Sequence, residues 1–282
     1  MIIKDSFSGT KFELFEKKNN IFLKKKFKKI NNRDKRSFTK QNTFKKYIVN
    51  SYSVKSAVIE NINSRKNFII MKYYDGLSGS DLILNSDLSI HSALNTFLSV
   101  YLKNIIKNSK FIKFNKTAYI QKCREIQKKI PKKYNNNYKK LFTKILSILN
   151  RIKYNIIGNC HGDLTLSNII VNKNKKRIIL IDHLDTHWES PIQDVCKLIQ
   201  DLRLYWTSRK FSKMDEIRAK IFCDNLNPFE TIKERSLEDI IELEMLMTIA
   251  RIIPYIPLND HNTHNWIENS YKKIDIGFIK EL

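Results

Sequence analysis

The stretch from Gly158 to Asp182 constrains this chain more than any other. It opens with the polar run Gly158-Asn159-Cys160-His161-Gly162-Asp163-Leu164-Thr165-Leu166-Ser167-Asn168. An apolar triplet, Ile169-Ile170-Val171, follows, then a polar turn over Asn172–Lys176, then Ile178-Ile179-Leu180-Ile181 and Asp182. Two short β-branched runs separated by a polar turn form a hairpin. A hairpin returns the chain to its starting point, so Asn168 at one end and Asp182 at the other are brought together. Any fold for this chain must therefore present two polar strand ends side by side.

Composition narrows the setting. The 282 residues are 42% hydrophobic and 11% aromatic with only six Gly and five Pro, which excludes a disordered or collagen-like chain. That length suits one large domain or two lobes. No apolar run reaches the roughly 18 residues of a membrane span, and Met1-Ile-Ile-Lys-Asp5 does not read as a signal peptide. The four scattered cysteines (Cys123, Cys160, Cys196, Cys223) form no C-x-x-C pair, which speaks against zinc and against a disulfide framework. The expectation is a cytoplasmic protein.

The formal charge of +24 is localised. Residues 103–153 carry 16 basic side chains against one acid, whereas residues 161–204 balance at six against six. A surface this basic faces solvent or a polyanion, such as an anionic glycan or a membrane surface. A nucleic-acid reading would need aromatics interleaved with the lysines, which Phe111, Phe114 and Tyr119 supply only sparsely.

Along the chain, the first third reads as strands. Phe7–Phe15, with Ser8-Gly9-Thr10 inside it, and Ile21–Phe27 flank a turn at Lys17–Asn20. The apolar spacing of Phe38, Phe44, Tyr47 and Ile48 predicts a helix over 37–52. Strands follow near Val58–Glu60 and over Phe68–Met71. Helical spacing then dominates at 90–106, 138–152 and 237–253.

The chemistry suggested by the 158–182 stretch is phosphoryl transfer. A triphosphate on Mg²⁺ needs hard oxygen ligands, which a carboxylate and an amide oxygen provide. A second carboxylate must sit at the acceptor hydroxyl to orient it and take its proton. His161-Gly162-Asp163, Asn168 and Asp182 contain that set.

The same residues carry a resemblance. H-G-D-L-T-L-S-N, then L-I-D, then Pro191-Ile192-Gln193-Asp194 opening a helix, resembles the catalytic core of the aminoglycoside phosphotransferase and choline kinase group. More narrowly, L-I-D-H-L-D-T with E-S-P-I-Q-D-V-C-K-L-I-Q-D resembles bacterial phosphotransferases of surface-polysaccharide clusters. The resemblance implies an α+β, bilobal protein-kinase-like fold. It would comprise a small antiparallel-sheet lobe over residues 1–74 and a mainly helical lobe over 75–282, with a catalytic loop at 160–168 and a metal-binding loop at 181–186.

ATP and Mg²⁺ are the implied cofactors, with Asp163 catalytic and Asn168 and Asp182 as metal ligands. His161 and Asp194 are then structural supports, and Asp185 is a candidate substrate contact. Thr165 stands where protein Ser/Thr kinases carry lysine, which favours a small-molecule hydroxyl acceptor, a sugar or an amino alcohol. Ser8 and Gly9 would cover phosphate, and the backbone at Lys72 and Tyr73 would read adenine. Lys24, Lys25 and Lys26 compete as the phosphate-contacting lysine. The similarity of F-L-K-K to F-V-R-K selects Lys25. Kinases pair that lysine with a helix glutamate, yet residues 35–59 hold no acid, and Gln41 stands near the expected place. Trp206 and Trp266 are candidates to line an acceptor pocket, while His261 and His264 read as a surface loop. The readings from other classes are a kinase of lipid- or polysaccharide-linked sugar and a non-catalytic protein binding polyanions, nucleic acid included, through its basic face.

Overall fold

The computed structural model describes residues 2–3, 11–84, 87–131, 138–186, 188–209, 211–230, 237–257, 259–275, 277 and 279. The chain divides into two compact units. One comprises residues 1–94 and 161–187, the other 95–160 and 188–282. The loops around His161 and Asp182 therefore belong to the same unit as the N-terminal strands.

In the first unit, strands β1 (Ile2–Ile3), β2 (Lys11–Lys17), β3 (Asn20–Lys26), β6 (Ile59–Asn63) and β7 (Phe68–Lys72) form an antiparallel sheet of order β1-β2-β3-β7-β6 among the described residues. The β2–β3 hairpin closes on Lys18 and Asn19, both at positive φ (50° and 57°). That is the backbone a two-residue turn needs to match strand twist. Helix α1 (Asn32–Asn42) starts at a capping box in which Asn31 and Asp34 satisfy each other's backbone N–H groups. It packs Phe38 against Ile30, Ala57, Ile59, Ile69, Met71 and Ile179, the core of this unit.

The helix predicted over 37–52 stops at Asn42. The next residues form the hairpin β4 (Tyr47–Val49) and β5 (Tyr52–Ser56). Asn50 and Ser51, at φ 44° and 67°, make the turn, and β5 buries alternate residues. Period-2 burial beyond Asn42 overrode the helical spacing of Phe44, Tyr47 and Ile48. Strand β5 pairs in parallel with β12 (Arg177–Leu180), which pairs antiparallel with β11 (Ile169–Asn172) and so makes the predicted hairpin. A short β8 (Leu77–Ser78), leading into α2 (Ser80–Leu84), completes this second sheet, of order β4-β5-β12-β11-β8.

The second unit is mainly helical. It contains most of α3 (Leu88–Lys107), then α4 (Lys116–Lys129), α5 (Lys139–Leu149), α6 (Pro191–Leu202), α7 (Lys213–Asp224), α8 (Glu238–Ile252) and α9 (His261–Asp275). A small antiparallel ribbon joins β9 (Lys110–Lys113) to β10 (Tyr154–Ile157). Helix α6 begins with Pro191 at its first position, where no N–H is needed, and Ser190 caps it. Ser190 to Leu202 is buried except at Lys197, and α8 is buried from Leu243 to Ala250, so these two helices form the unit's centre. Between them and α4 the Tyr119 ring stacks on Trp188 at 3.8 Å, and its hydroxyl donates to the buried Glu244. Among the described residues no helix is long and apolar enough to cross a membrane.

All four cysteines are buried. Burial, reinforced by the Glu244 carboxylate, pushes the Cys123 thiol up to about 11 and raises Cys196 further; burial likewise raises Cys223. Thiolate is the reactive form. Iodoacetamide at pH 8 is accordingly expected to leave Cys123, Cys196 and Cys223 unmodified in the native chain and to label them after urea unfolding, as read by intact mass.

Candidate active site

The His161–Asn168 loop is anchored by the side chain of His161. His161 is fully buried, with Nε2 2.9 Å from the Ile181 carbonyl. A carbonyl only accepts, so Nε2 carries the proton and Nδ1 receives the Asp163 backbone N–H at 3.3 Å. The Leu184 N–H returns to the His161 carbonyl at 2.9 Å, and the Ile181 N–H to the Asn168 carbonyl at 3.0 Å. These bonds lace the 161–168 loop to 181–184. Gly162, at φ +88°, allows the close approach, because a Cβ there would lie 2.2 Å from the Leu184 carbonyl oxygen. Asp163 remains half-buried. Its carbonyl accepts from Thr165 N–H (2.8 Å) and Asn168 Nδ2 (2.7 Å), and Nδ2 also reaches the Asp163 carboxylate at 3.2 Å.

Asp182 stands two residues past the end of β12 and sits at φ +58°, a backbone that non-glycine residues seldom adopt. Its Oδ2 meets Lys25 Nζ at 2.7 Å, with the two side chains 36% and 13% exposed. Lys25 lies between the rings of Phe12 and Phe27, each 5.6 Å away, which shields the pair from water. Lys24 and Lys26 leave β3 on the opposite face, where both reach Glu13 at 3.4 Å. Strand alternation thus separates the three lysines.

The residues present fit a hard divalent ion. With Oδ2 on Lys25 and Nδ2 on Asp163, Asp182 Oδ1 and Asn168 Oδ1 have no partner among the described residues. One carboxylate and one amide oxygen are the ligands Mg²⁺ takes when waters and phosphates complete its shell. Among the described residues no group of three His, Cys, Asp or Glu is placed to hold a metal.

Helix α1 holds the next residues of the loop. Arg36 places Nη2 and Nε 2.8 and 2.9 Å from Asp185 Oδ2, and Arg33 Nε donates to the Asp185 carbonyl at 2.7 Å. The Asp185 N–H donates to Ser37 Oγ at 2.7 Å, and Lys40 Nζ to the Leu184 carbonyl at 2.9 Å. Residues 33, 36, 37 and 40 share one helical face. Gln41 is buried and bridges the Ala57 carbonyl (2.7 Å) and the His183 N–H (3.3 Å). Its amide is spent there, and the carboxylate that meets Lys25 is Asp182. The Asp185 carboxylate, a candidate substrate contact by sequence, is taken up by Arg36.

Comparison with known proteins follows this geometry. The chain superposes on the thermostable aminoglycoside phosphotransferase APH(4)-Ia with a TM-score of 0.59 at 10% identity, covering 98% of this chain and 94% of that one. On spectinomycin phosphotransferase APH(9)-Ia, solved with ADP and spectinomycin, the score is 0.58 at 12% identity over 100% and 93%. The ecdysteroid kinase-like family matches residues 86–202. The chain therefore has the fold of these phosphotransferases, and the family model covers less than half of it. No curated protein sequence matches it.

Within the kinase-like fold the other predicted positions fall as follows. Ser8 and Gly9 lie outside the described residues. The N–H groups of Lys72 and Tyr73 are used inside the sheet, bonding Val58 O (3.2 Å) and Ile21 O (3.0 Å), and Tyr74 N–H is the first without a partner among the described residues. Asp194 is fully buried in the second unit and accepts the Tyr101 hydroxyl at 2.7 Å. His261 and His264 belong to α9 rather than to a loop, and His264 Nδ1 meets the Tyr138 hydroxyl at 2.8 Å. Sequence reasoning missed the α1 clasp, and it missed His183. That ring lies 4.0 Å from His161, with Nε2 2.7 Å from Ser56 Oγ and Nδ1 buried without a partner among the described residues. The only sequence signal was basic residues three and four apart opposite a lone acid.

Burial, with His161 and Lys40 nearby, holds the His183 pKa well below its usual value. A depressed histidine pKa supports the fold fully above the unfolded value of about 6.5. That support falls by about 1.4 kcal/mol per pH unit below it, until the folded pKa is reached. Urea midpoints are expected to drop between pH 7.5 and 5.5 in the wild type and to drop less in His183→Gln.

Proposed function

We propose that the chain is an ATP-dependent kinase that phosphorylates a hydroxyl of a small molecule, a sugar or an amino alcohol. The observation that carries this reading is the lacing of Asp163, Asn168 and Asp182 around buried His161, with Lys25 seated on Asp182. In this reading Asp163 accepts the proton of the attacking hydroxyl as it moves onto the γ-phosphate. Asn168 steadies Asp163 through Nδ2 and presents Oδ1 outward. Lys25 supplies fixed positive charge near the phosphates, in a site whose donors need not reorganise.

Asn168 and Asp182 would hold Mg²⁺, which neutralises phosphate charge when bound. The Tyr74 N–H and the nearby carbonyls offer backbone donors and acceptors to a purine edge. Asp194, buried under Tyr101, braces the start of α6 and has no role in contacting substrate. The fold shared with a phosphotransferase solved with ADP and spectinomycin supports the nucleotide and the small hydroxyl acceptor.

The surface-polysaccharide resemblance of residues 180–201 supports a product used in surface-glycan synthesis. The basic stretch 103–153, with exposed Lys103, Lys110 and Lys113, suits an anionic glycan or membrane surface close to that use.

The test is acceptor-stimulated ADP release from Mg²⁺–ATP across sugars and amino alcohols. Asp163→Ala is expected to lower kcat by about 10²–10⁴-fold with nucleotide binding retained. Asp182→Ala is expected to remove both turnover and its Mg²⁺ dependence. Turnover unchanged in Asp163→Ala would refute the assignment. Absence of nucleotide binding would transfer the function to the basic surface.

A further inference from the structure

The second unit contains a cavity of about 570 Å³ at the C-terminal end of α6. That size lies in the range of small-molecule sites, which run from about 300 to 1,000 Å³. Its walls come from the Leu204–Arg209 segment, from one face of α7 and from α9.

The lining is chemically one-sided. Arg209, Lys220, Lys272 and Lys273 face Glu216 as the single acid. Lys220 is paired with Glu216 at 2.9 Å. Lys272 and Lys273 have no carboxylate within ion-pair distance among the described residues. Lys220 and Lys273 converge on one ring, with ammonium groups 5.9 and 5.0 Å from the centre of Tyr205. With four basic side chains to one acid around the cavity, an anionic ligand is favoured there. Burial lowers the Lys273 pKa; the Asp224 carboxylate opposes this and Lys220 adds to it.

A second feature points to hydroxyl groups. Asn262, Asn265 and Asn269 are spaced by three and four residues, so they line one face of α9, and that face borders the cavity. None of the three amides has a hydrogen-bond partner among the described residues. Each amide offers donors and an acceptor together, the pairing a sugar hydroxyl uses. Ser208 and Ser270 add hydroxyls to the same wall.

A third feature is backbone strain. Tyr205 sits at φ +57°, an outlier for an aromatic residue, and its hydroxyl is fixed on Asp224 at 2.7 Å. Strain of this kind persists where surrounding structure enforces it, and it concentrates at ligand sites. Here it holds the ring on which the two lysines meet. Behind it, Trp206 packs edge-on against Trp266 at 4.7 Å, and the Trp266 indole N–H is fixed on the Leu204 carbonyl.

We infer that this cavity is a binding site for an anionic, hydroxyl-rich small molecule, a sugar phosphate or a sugar acid. Lysines act as point charges for phosphate or carboxylate, and the asparagine row reads the hydroxyls. The same charge rejects polycations such as aminoglycosides. The ligand chemistry stands on the cavity alone and goes beyond the kinase reading.

The experiment is calorimetric titration of the full chain, without nucleotide and at fixed ionic strength, with glucose 6-phosphate, glucuronate, glucose, inorganic phosphate and spectinomycin. At least one sugar anion is expected to bind tenfold or more tighter than glucose and than inorganic phosphate, and spectinomycin not at all. The exposed changes Lys272→Glu and Lys273→Glu should weaken that binding at least tenfold. Asn265→Ala with Asn269→Ala should weaken the sugar anion while sparing inorganic phosphate. Arg65→Glu with Lys66→Glu, exposed on the turn between β6 and β7, should change nothing.

Equal binding of glucose and its phosphate would overturn the inference, as would loss in the Arg65/Lys66 variant rather than the cavity variants. Because nucleotide is absent, a chain that binds sugar anions yet never turns over ATP would refute the kinase reading and leave this site standing.

Discussion

The hydrogen bond from buried His161 to the Ile181 carbonyl is the interaction on which the site depends. It joins two loops that are twenty residues apart in sequence and fixes the tautomer whose other nitrogen receives the Asp163 N–H. Because the ring is enclosed, breaking this bond would strand a buried carbonyl, at a cost of about 1–3 kcal/mol. The hairpin supplies the remaining geometry: Ile169 lies opposite Leu180, so Asn168 and the residues before Asp182 begin and end in register. Gly162 then sets how closely the loops approach. Asp163, Asn168 and Asp182 are thus held by backbone bonds, one imidazole and the Asn168–Asp163 hydrogen bonds.

The second constraint is charge. Helix α1 carries no acid beyond Asp34 at its cap, so it cannot furnish a carboxylate to Lys25. The lysine turns to Asp182 instead, and the helix turns its basic face to Asp185 and the carbonyls of 184 and 185. One loop therefore connects to β3 through an ion pair at Asp182 and to α1 through a clasp three residues later. A positive φ at Asp182 is the strain this arrangement maintains. The same excess of cations recurs in the second unit, where it lines a cavity.

The sequence made part of this legible. The hairpin could be read because β-branched runs around a polar turn have few alternatives. The separation of Lys24, Lys25 and Lys26 followed from strand alternation. What failed was the region after Asn42, where Phe44, Tyr47 and Ile48 matched helical spacing by coincidence while the Asn50-Ser51 turn carried the true signal. Contacts between distant segments were invisible in principle: Gln41 with His183, Arg36 with Asp185, and Ser56 with His183 are separated by more than 120 residues, and the parallel β5–β12 pairing and the core around Phe38 and Ile179 bring those segments together. The roles of Asp194 and Tyr101 were hidden likewise, since nothing local marks a buried tyrosine as a carboxylate's partner.

The central claim is that Lys25 and Asp182 form one preassembled phosphate and metal site. Nucleotide binding by calorimetry, with and without Mg²⁺, tests it most directly in wild type, Lys25→Ala, Asp182→Asn and the double variant. The account predicts that Mg²⁺ tightens ATP binding in the wild type and in Lys25→Ala but not in Asp182→Asn. It also predicts that the two losses are not additive in the double variant, because each residue positions the other. Additive losses, or Mg²⁺ tightening that survives Asp182→Asn, would contradict it.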